Sequence, residues 1–197
     1  MNNIKNMKFD YFNFKSNNKV KKGSIIFSQP LMKDPNFQRS LIFICEHNNE
    51  GSFGYVLNEK INIQSQDLEL NNKIINNLYL GGPVDKSYLN FIHNLKTLSN
   101  SKQIIGDVYL GGDINELIKN NKLNKSELKY KFFSGYSGWS PNQLQEEINQ
   151  NSWIVVNQFD SDILFKNIDD KFWSVFLSEF GGKNKIFSNY PKDPSLN

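Results

Sequence analysis

Gln29-Pro30-Leu31-Met32-Lys33-Asp34-Pro35-Asn36-Phe37-Gln38-Arg39-Ser40-Leu41-Ile42-Phe43-Ile44-Cys45-Glu46-His47-Asn48-Asn49-Glu50-Gly51-Ser52-Phe53-Gly54-Tyr55-Val56-Leu57-Asn58 holds the reading that decides the fold. The unbroken apolar run Leu41 to Cys45, bounded by polar residues, predicts a strand over Ser40–Glu46 buried on both faces. Asn48-Asn49-Glu50-Gly51 is a turn signal, so Phe53–Asn58 is expected to fold back as the second arm of a hairpin. Upstream, Ser24–Ser28 reads as a further short strand. The same thirty positions contain the only arginine, the only cysteine and one of the two histidines, which marks them as the place to look for function.

Composition bounds what surrounds this hairpin. A chain of 197 residues can bury one substantial core, at roughly 70% of the surface its unfolded form exposes. Sixteen Phe supply contact area to that core where alanine, entirely absent, supplies none. Of the 23 Lys and Arg only Arg39 is arginine, the formal charge is +3, and the lysines are scattered. Direct base readout relies on arginine's planar fork, so a dedicated nucleic-acid binder is not expected. One cysteine precludes an internal disulfide framework, and no Cys-x-x-Cys or His-x-x-x-His spacing offers a zinc cage, so no metal and no cofactor are expected. A reducing, cytoplasmic setting fits, with no signal-like apolar core in the opening residues and no membrane-length run. Residues 1–20 read as a flexible extension, 21–182 as the domain, and 183–197 as an irregular tail.

Tyr79-Leu80-Gly81-Gly82 is echoed thirty residues on by Tyr109-Leu110-Gly111-Gly112. Each ends an apolar strand and each is predicted to open a helix. In the first, Pro83 would start the helix and Leu89, Ile92 and Leu95 would line its buried face; in the second, Asp113 with Glu116 forms a capping pair. Tyr130–Gly135 reads as a strand. Ser140-Pro141-Asn142-Gln143 opens a helix, with Ser140 as cap, Gln143 reaching back, and Leu144 and Ile148 buried. Trp153–Phe159 is expected as a strand. Asp169–Phe180 is expected as a helix with Phe172, Trp173, Phe176, Leu177 and Phe180 inward, stopped by Gly181-Gly182.

Four blocks, covering nearly all of residues 21–182, resemble the YqgE/AlgH family of uncharacterised bacterial proteins. They are Asp34-Pro35-Asn36-Phe37-Gln38-Arg39-Ser40 leading to Cys45-Glu46-His47-Asn48; Gly81-Gly82-Pro83-Val84 with His93; Gly135-Tyr136-Ser137-Gly138-Trp139 with Gln143-Leu144 and Glu146-Glu147; and Ser152-Trp153-Ile154 with Leu164-Phe165. The resemblance implies a single-domain, mixed α+β fold whose strongly bent sheet forms part of a barrel flanked by helices. The family name suggests a link to transcriptional regulation, while the resemblance supplies no reaction, cofactor or catalytic residue. Gln38 departs from the family, where a second basic residue is common; anion binding there would be weaker.

Several side chains carry possible chemistry, each beside a plainer reading. Arg39 could offer a bidentate fork to an anion, or tie down its own turn through Asp34 or Glu46. Cys45 and His47, two apart on a strand, should share a face with Glu46 on the other, which would make a thiol nucleophile and its base; a free cysteine is more often a small core residue. Gly81, Gly82, Gly111, Gly112 and Asp113 could flank an anion-binding crevice or merely serve tight turns. Tyr136, Gly138 and Trp139 form an aromatic elbow for a planar ligand or a packing corner, with Gln143 and Glu147 one turn apart behind it. Glu146 is expected to face solvent, and His93 to be a core or surface residue. The expectation is a non-catalytic regulatory or ligand-binding protein, taking a small anion or a protein partner in a pocket shared by these blocks. The alternative is a cysteine-dependent hydrolase or thioester-type enzyme using Cys45 and His47.

Overall fold

The computed structural model describes residues 19–30, 32–62, 77–122, 127–179, 185–186 and 188–189. The expected extension up to residue 18, Phe180 with its Gly181-Gly182 stop, and most of the tail lie outside the described residues. Nine strands form one sheet: β1 Ile25–Ser28, β2 Leu41–Asn48, β3 Gly51–Val56, β4 Leu78–Leu80, β5 Val84–His93, β6 Lys102–Ile105, β7 Val108–Leu110, β8 Tyr130–Trp139 and β9 Trp153–Val156. Their order is β6-β7-β5-β8-β3-β2-β1-β9, with β4 added parallel to β8 and every other pairing antiparallel. Among the described residues the sheet stays open, since β6 and β9 each have one neighbour, and it agrees with the α+β single-domain class that the resemblance implied. Three α-helices complete the described fold: α1 Ile114–Lys122, α2 Gln143–Asn149 and α3 Asp170–Glu179.

The apolar run of β2 is buried on both faces, as its composition requires. Leu41, Phe43 and Cys45 point into a core closed by Trp173, Phe176 and Leu177 of α3, where the Phe27 and Phe176 rings stack at 3.4 Å. Ile42 and Ile44 point the other way, into a second core under Leu144 and Ile148 of α2. A third cluster joins Leu117 of α1 to Phe91 and Phe132. Each helix therefore sits where an apolar stripe meets one sheet face, and packing rather than intrinsic propensity stabilises these short helices.

One expected helix is a strand. After Gly81-Gly82, residues Val84–His93 form β5 and pair with β8 and β7. The spacing of Leu89, Ile92 and Leu95 imitates a helical stripe, but sheet hydrogen bonding on both sides prevails over local pattern. The glycines permit this course by close approach. Gly81 N–H donates to Ser134 O at 2.9 Å, and a Cβ on Gly81 would stand 2.3 Å from Gly135 O. The second Gly-Gly does open a helix, α1, where Asp113 Oδ1 accepts the N–H groups of Asn115 and Glu116 at 2.8 and 3.1 Å. At α2 the cap is Asn142 rather than Ser140, yet Gln143 reaches back as expected, its Oε1 accepting Ser140 N–H at 2.9 Å. The last strand ends at Val156, short of Phe159.

Gly81→Ala is expected to destabilise the fold by about 1–3 kcal/mol, the range for forcing atoms into a filled site. Urea unfolding of the purified variant measures it, and an unchanged midpoint would refute the close-approach role.

Candidate functional site

Asp34 starts a 3-10 turn, Pro35–Phe37, by accepting Asn36 N–H on Oδ1 at 2.9 Å. This turn drops Phe37 onto the α2 side of the sheet, where its ring lies 6.1 Å from that of Trp139 and 5.5 Å from that of Trp153. The two indoles meet edge to face at 6.0 Å and 82°. Both rings are nearly covered, at 5% and 2% exposure, so each N–H needs an acceptor. Glu147 satisfies both with one oxygen: Oε2 accepts Trp139 Nε1–H at 3.0 Å and Trp153 Nε1–H at 2.7 Å. Its other oxygen, Oε1, accepts Gln143 Nε2–H at 2.9 Å, one helical turn away. Around this assembly opens a cleft of about 610 Å³, to which Met32, Asp34, Pro83, Gly138 and Gln150 also contribute.

The expected site residues do not share one hollow. Trp139 and Gln143 are in the cleft, but Tyr136, three positions before Trp139, faces the opposite core with its ring 6.2 Å from Phe53. Arg39 adopts a positive φ of 57° and lays its guanidinium 5.3 Å over the Trp173 ring, also on the α3 side. Gly81 and Gly82 pack on β8, whereas Gly111, Gly112 and Asp113 serve the turn against Leu98 and Ser99 at the start of α1. Asp113 is occupied as a cap, and Glu116 Oε2 accepts Ser99 N–H at 3.1 Å.

Cys45 and His47 do not face the same way. The register of β2 against β3 slips between Ile44 and Glu46, and the bulged residue inverts the alternation beyond it. Cys45 therefore points into the α3 core at 1% exposure. His47 lies opposite Ser52 and lines a smaller hollow of about 330 Å³ beside Leu144, its Nδ1 hydrogen-bonded to Ser52 Oγ at 2.7 Å. Burial first, and Glu46 second, push the Cys45 thiol well above its usual range, so neither geometry nor ionisation supports a cysteine nucleophile. Glu46 pairs with Lys102 at 2.5 Å, and the hydrogen bond from that ammonium holds its carboxyl below the ordinary value. His93 is a core residue at the end of β5. Its Nε2–H donates to Gly111 O at 2.9 Å and its Nδ1 accepts Leu95 N–H at 3.1 Å, while burial lowers its pKa.

Lys131 escaped the sequence reading. Fully buried in β8, it donates to Lys166 O at 2.7 Å and Leu57 O at 3.3 Å, and stands 4.2 Å over the Tyr79 ring. Desolvation, then repulsion from Lys60, pushes its pKa down to about 7. The signal available in the sequence was a lysine set among the aromatic residues Tyr130, Phe132 and Phe133 at the start of a strand.

Among the described residues, no group of three or more His, Cys, Asp or Glu is placed to hold a metal ion, and no helix is long and apolar enough to cross a membrane. The molecule is thus an open-sheet α+β protein with an aromatic cleft built around one carboxylate. The chain belongs to the AlgH-like family, whose model matches residues 25–185. It is 38% identical over 182 residues to a UPF0301 protein of Cytophaga hutchinsonii, covering 89% of this chain and 98% of the relative. A UPF0301 protein of Bacteroides thetaiotaomicron is 33% identical over 196 residues, 98% of this chain and 100% of its own length. The fold is that of the DIP2367 protein from Corynebacterium diphtheriae, with TM-score 0.68 at 20% identity over 91% of this chain and 97% of that one. It also matches the solution structure of AlgH from Pseudomonas aeruginosa, with TM-score 0.63 at 22% identity over 90% and 97%.

Two outcomes are expected. Iodoacetamide at neutral pH should alkylate Cys45 only as fast as the protein unfolds; rapid labelling of the native protein would contradict the buried thiol. Lys131 holds its proton to about pH 10.5 when unfolded but sheds it near 7 when folded. From there up to about pH 9.5 the unfolded chain binds more protons, so stability should rise with pH, by up to ~1.4 kcal/mol per unit from this group. Urea midpoints measured across that window should climb in the native protein and flatten in Lys131→Met.

Proposed function

We propose that this protein acts by binding rather than catalysis, and that the Phe37–Trp139–Trp153–Glu147 cleft receives a segment of a partner protein. One observation carries the reading: all four blocks of the family resemblance contribute to this cleft, through Asp34 and Phe37, through Pro83, through Gly138 to Glu147, and through Ser152 and Trp153. Blocks remote in sequence meet there, although of the expected site residues only Gly138, Trp139, Gln143 and Glu147 are among them. The cleft combines a buried aromatic floor with a polar rim, the anatomy of a recognition surface. A small anion would meet one cationic side chain on its wall, Lys33, so the partner version of the expected function has the better support. Regulation would follow from occupancy of the cleft in the cytoplasm, the reducing setting that a single cysteine suits.

A photo-cross-linking amino acid placed at Gln150 on the rim should trap a discrete partner in cells. The same group at Lys119, exposed on α1 away from the cleft, should not. Equal adducts from both positions, or none from Gln150, would sink the proposal.

A further inference from the structure

The acceptors of the cleft specify more than its shape does, and the ligand class they select depends on the cleft being the binding site. Glu147 Oε2 is saturated by two indole N–H groups, whereas Oε1 receives only Gln143 Nε2–H. A carboxylate oxygen accepts two donors, so Oε1 retains one acceptor direction. Among the described residues Glu147 makes no ion pair; the pairs present are Lys102 with Glu46 and Lys129 with Asp162. A second carboxylate on the wall, Asp34, uses Oδ1 for the backbone and side-chain N–H groups of Asn36, both at 2.9 Å, and its Oδ2 is engaged by no described hydrogen bond. Among the described residues Lys33 is the only cationic side chain of the lining and is itself exposed. The remaining polar lining is mostly amide, and Phe37, also of the lining, has its ring 6.1 Å from that of Trp139 and 5.5 Å from that of Trp153.

We infer that the cleft recognises a guanidinium, supplied by an arginine of the partner segment. A guanidinium is flat, stacks on aromatic rings, is weakly hydrated and carries N–H donors around its edge, which lets one group meet an aromatic ring and a carboxylate acceptor together. An ammonium is compact and strongly hydrated and would satisfy only part of this set. The buried indoles hold the Glu147 carboxylate in place before any ligand arrives, so the cation is met by a preformed acceptor.

The test monitors the indole Nε1–H resonances in ¹H–¹⁵N spectra while acetyl-Gly-Arg-Gly-amide, its citrulline counterpart and free agmatine are titrated in turn. Citrulline keeps the planar shape but removes the charge and exchanges one donor nitrogen for an acceptor oxygen. The arginine peptide is expected to shift Trp139 and Trp153 but not Trp173, and to bind about tenfold or more tightly than the citrulline peptide. Glu147→Gln should erase that preference. Should this variant not fold, Asp34→Asn, which keeps an oxygen for the Asn36 cap, should weaken the arginine peptide several-fold and leave the citrulline peptide unaffected. Equal binding of the two peptides would overturn the guanidinium assignment while leaving the cleft as a binding site. Agmatine binding more tightly than the peptide would overturn the partner segment as its source. No response of Trp139 or Trp153 to these probes, or to a neutral fragment library, would overturn both the assignment and the binding reading.

Discussion

The organisation of this protein depends on a change of partner within β8. Its first half, through Ser134, pairs with β5 and β4, and Tyr136 still meets Val84 of β5; its end, Ser137 to Trp139, pairs with β3. Between them Gly135 takes a φ of +68°, and a Cβ there would come within 2.7 Å of Val84 O and 2.9 Å of Gly82 O. Only glycine accepts both the conformation and the crowding. The kink resets which residues face which side. Lys131 and Phe133 turn to the α3 core, and Trp139 turns to the α2 side.

At the far end of that strand, the Glu147 carboxylate compensates for burying two indoles. An unsatisfied buried N–H costs about 1–3 kcal/mol, and a charged acceptor makes a stronger bond than a neutral one. Helix α2 spans only Gln143–Asn149, too short to be stable by itself. It is fastened through Leu144 and Ile148 on its apolar face and through Glu147 on its polar edge. The bonds that shape the cleft therefore also hold the helix, which explains how a partly exposed carboxylate can be fixed on the cleft wall.

Much of this was legible in the sequence, and the remainder has a common cause. The burial of Leu41 to Cys45 on both faces, the Asp113 cap, the Gln143 reach-back and the inward faces of α2 and α3 all depend on neighbours within a turn or a pleat. What could not be read were the places where the period of two is broken. A bulge at Cys45 sends His47 to the other face, and the Gly135 kink resets the parity of β8 between Phe133 and Tyr136. Nor does local pattern reveal that Val84–His93 is claimed by strands on both sides, or that Lys131 finds its acceptors at Leu57 and Lys166. Such pairings are set by register, which sequence spacing alone does not encode.

Arg39 shows how a residue singled out for chemistry can instead make the site possible. Its left-handed backbone costs on the order of 1 kcal/mol and reverses the chain between Phe37 and β2. Asn58 holds it there, donating Nδ2–H to Arg39 O at 2.8 Å and accepting Leu41 N–H on Oδ1 at 2.9 Å. The two aromatic-seeking side chains are thereby sent to opposite faces: the Arg39 guanidinium over Trp173 on the α3 side, and the Phe37 ring against Trp139 and Trp153 on the α2 side. One turn thus straddles the end of the sheet. The sole guanidinium of the chain anchors this turn from outside the cleft, while the acceptor at the cleft's centre, Glu147, has no cationic partner within the described residues.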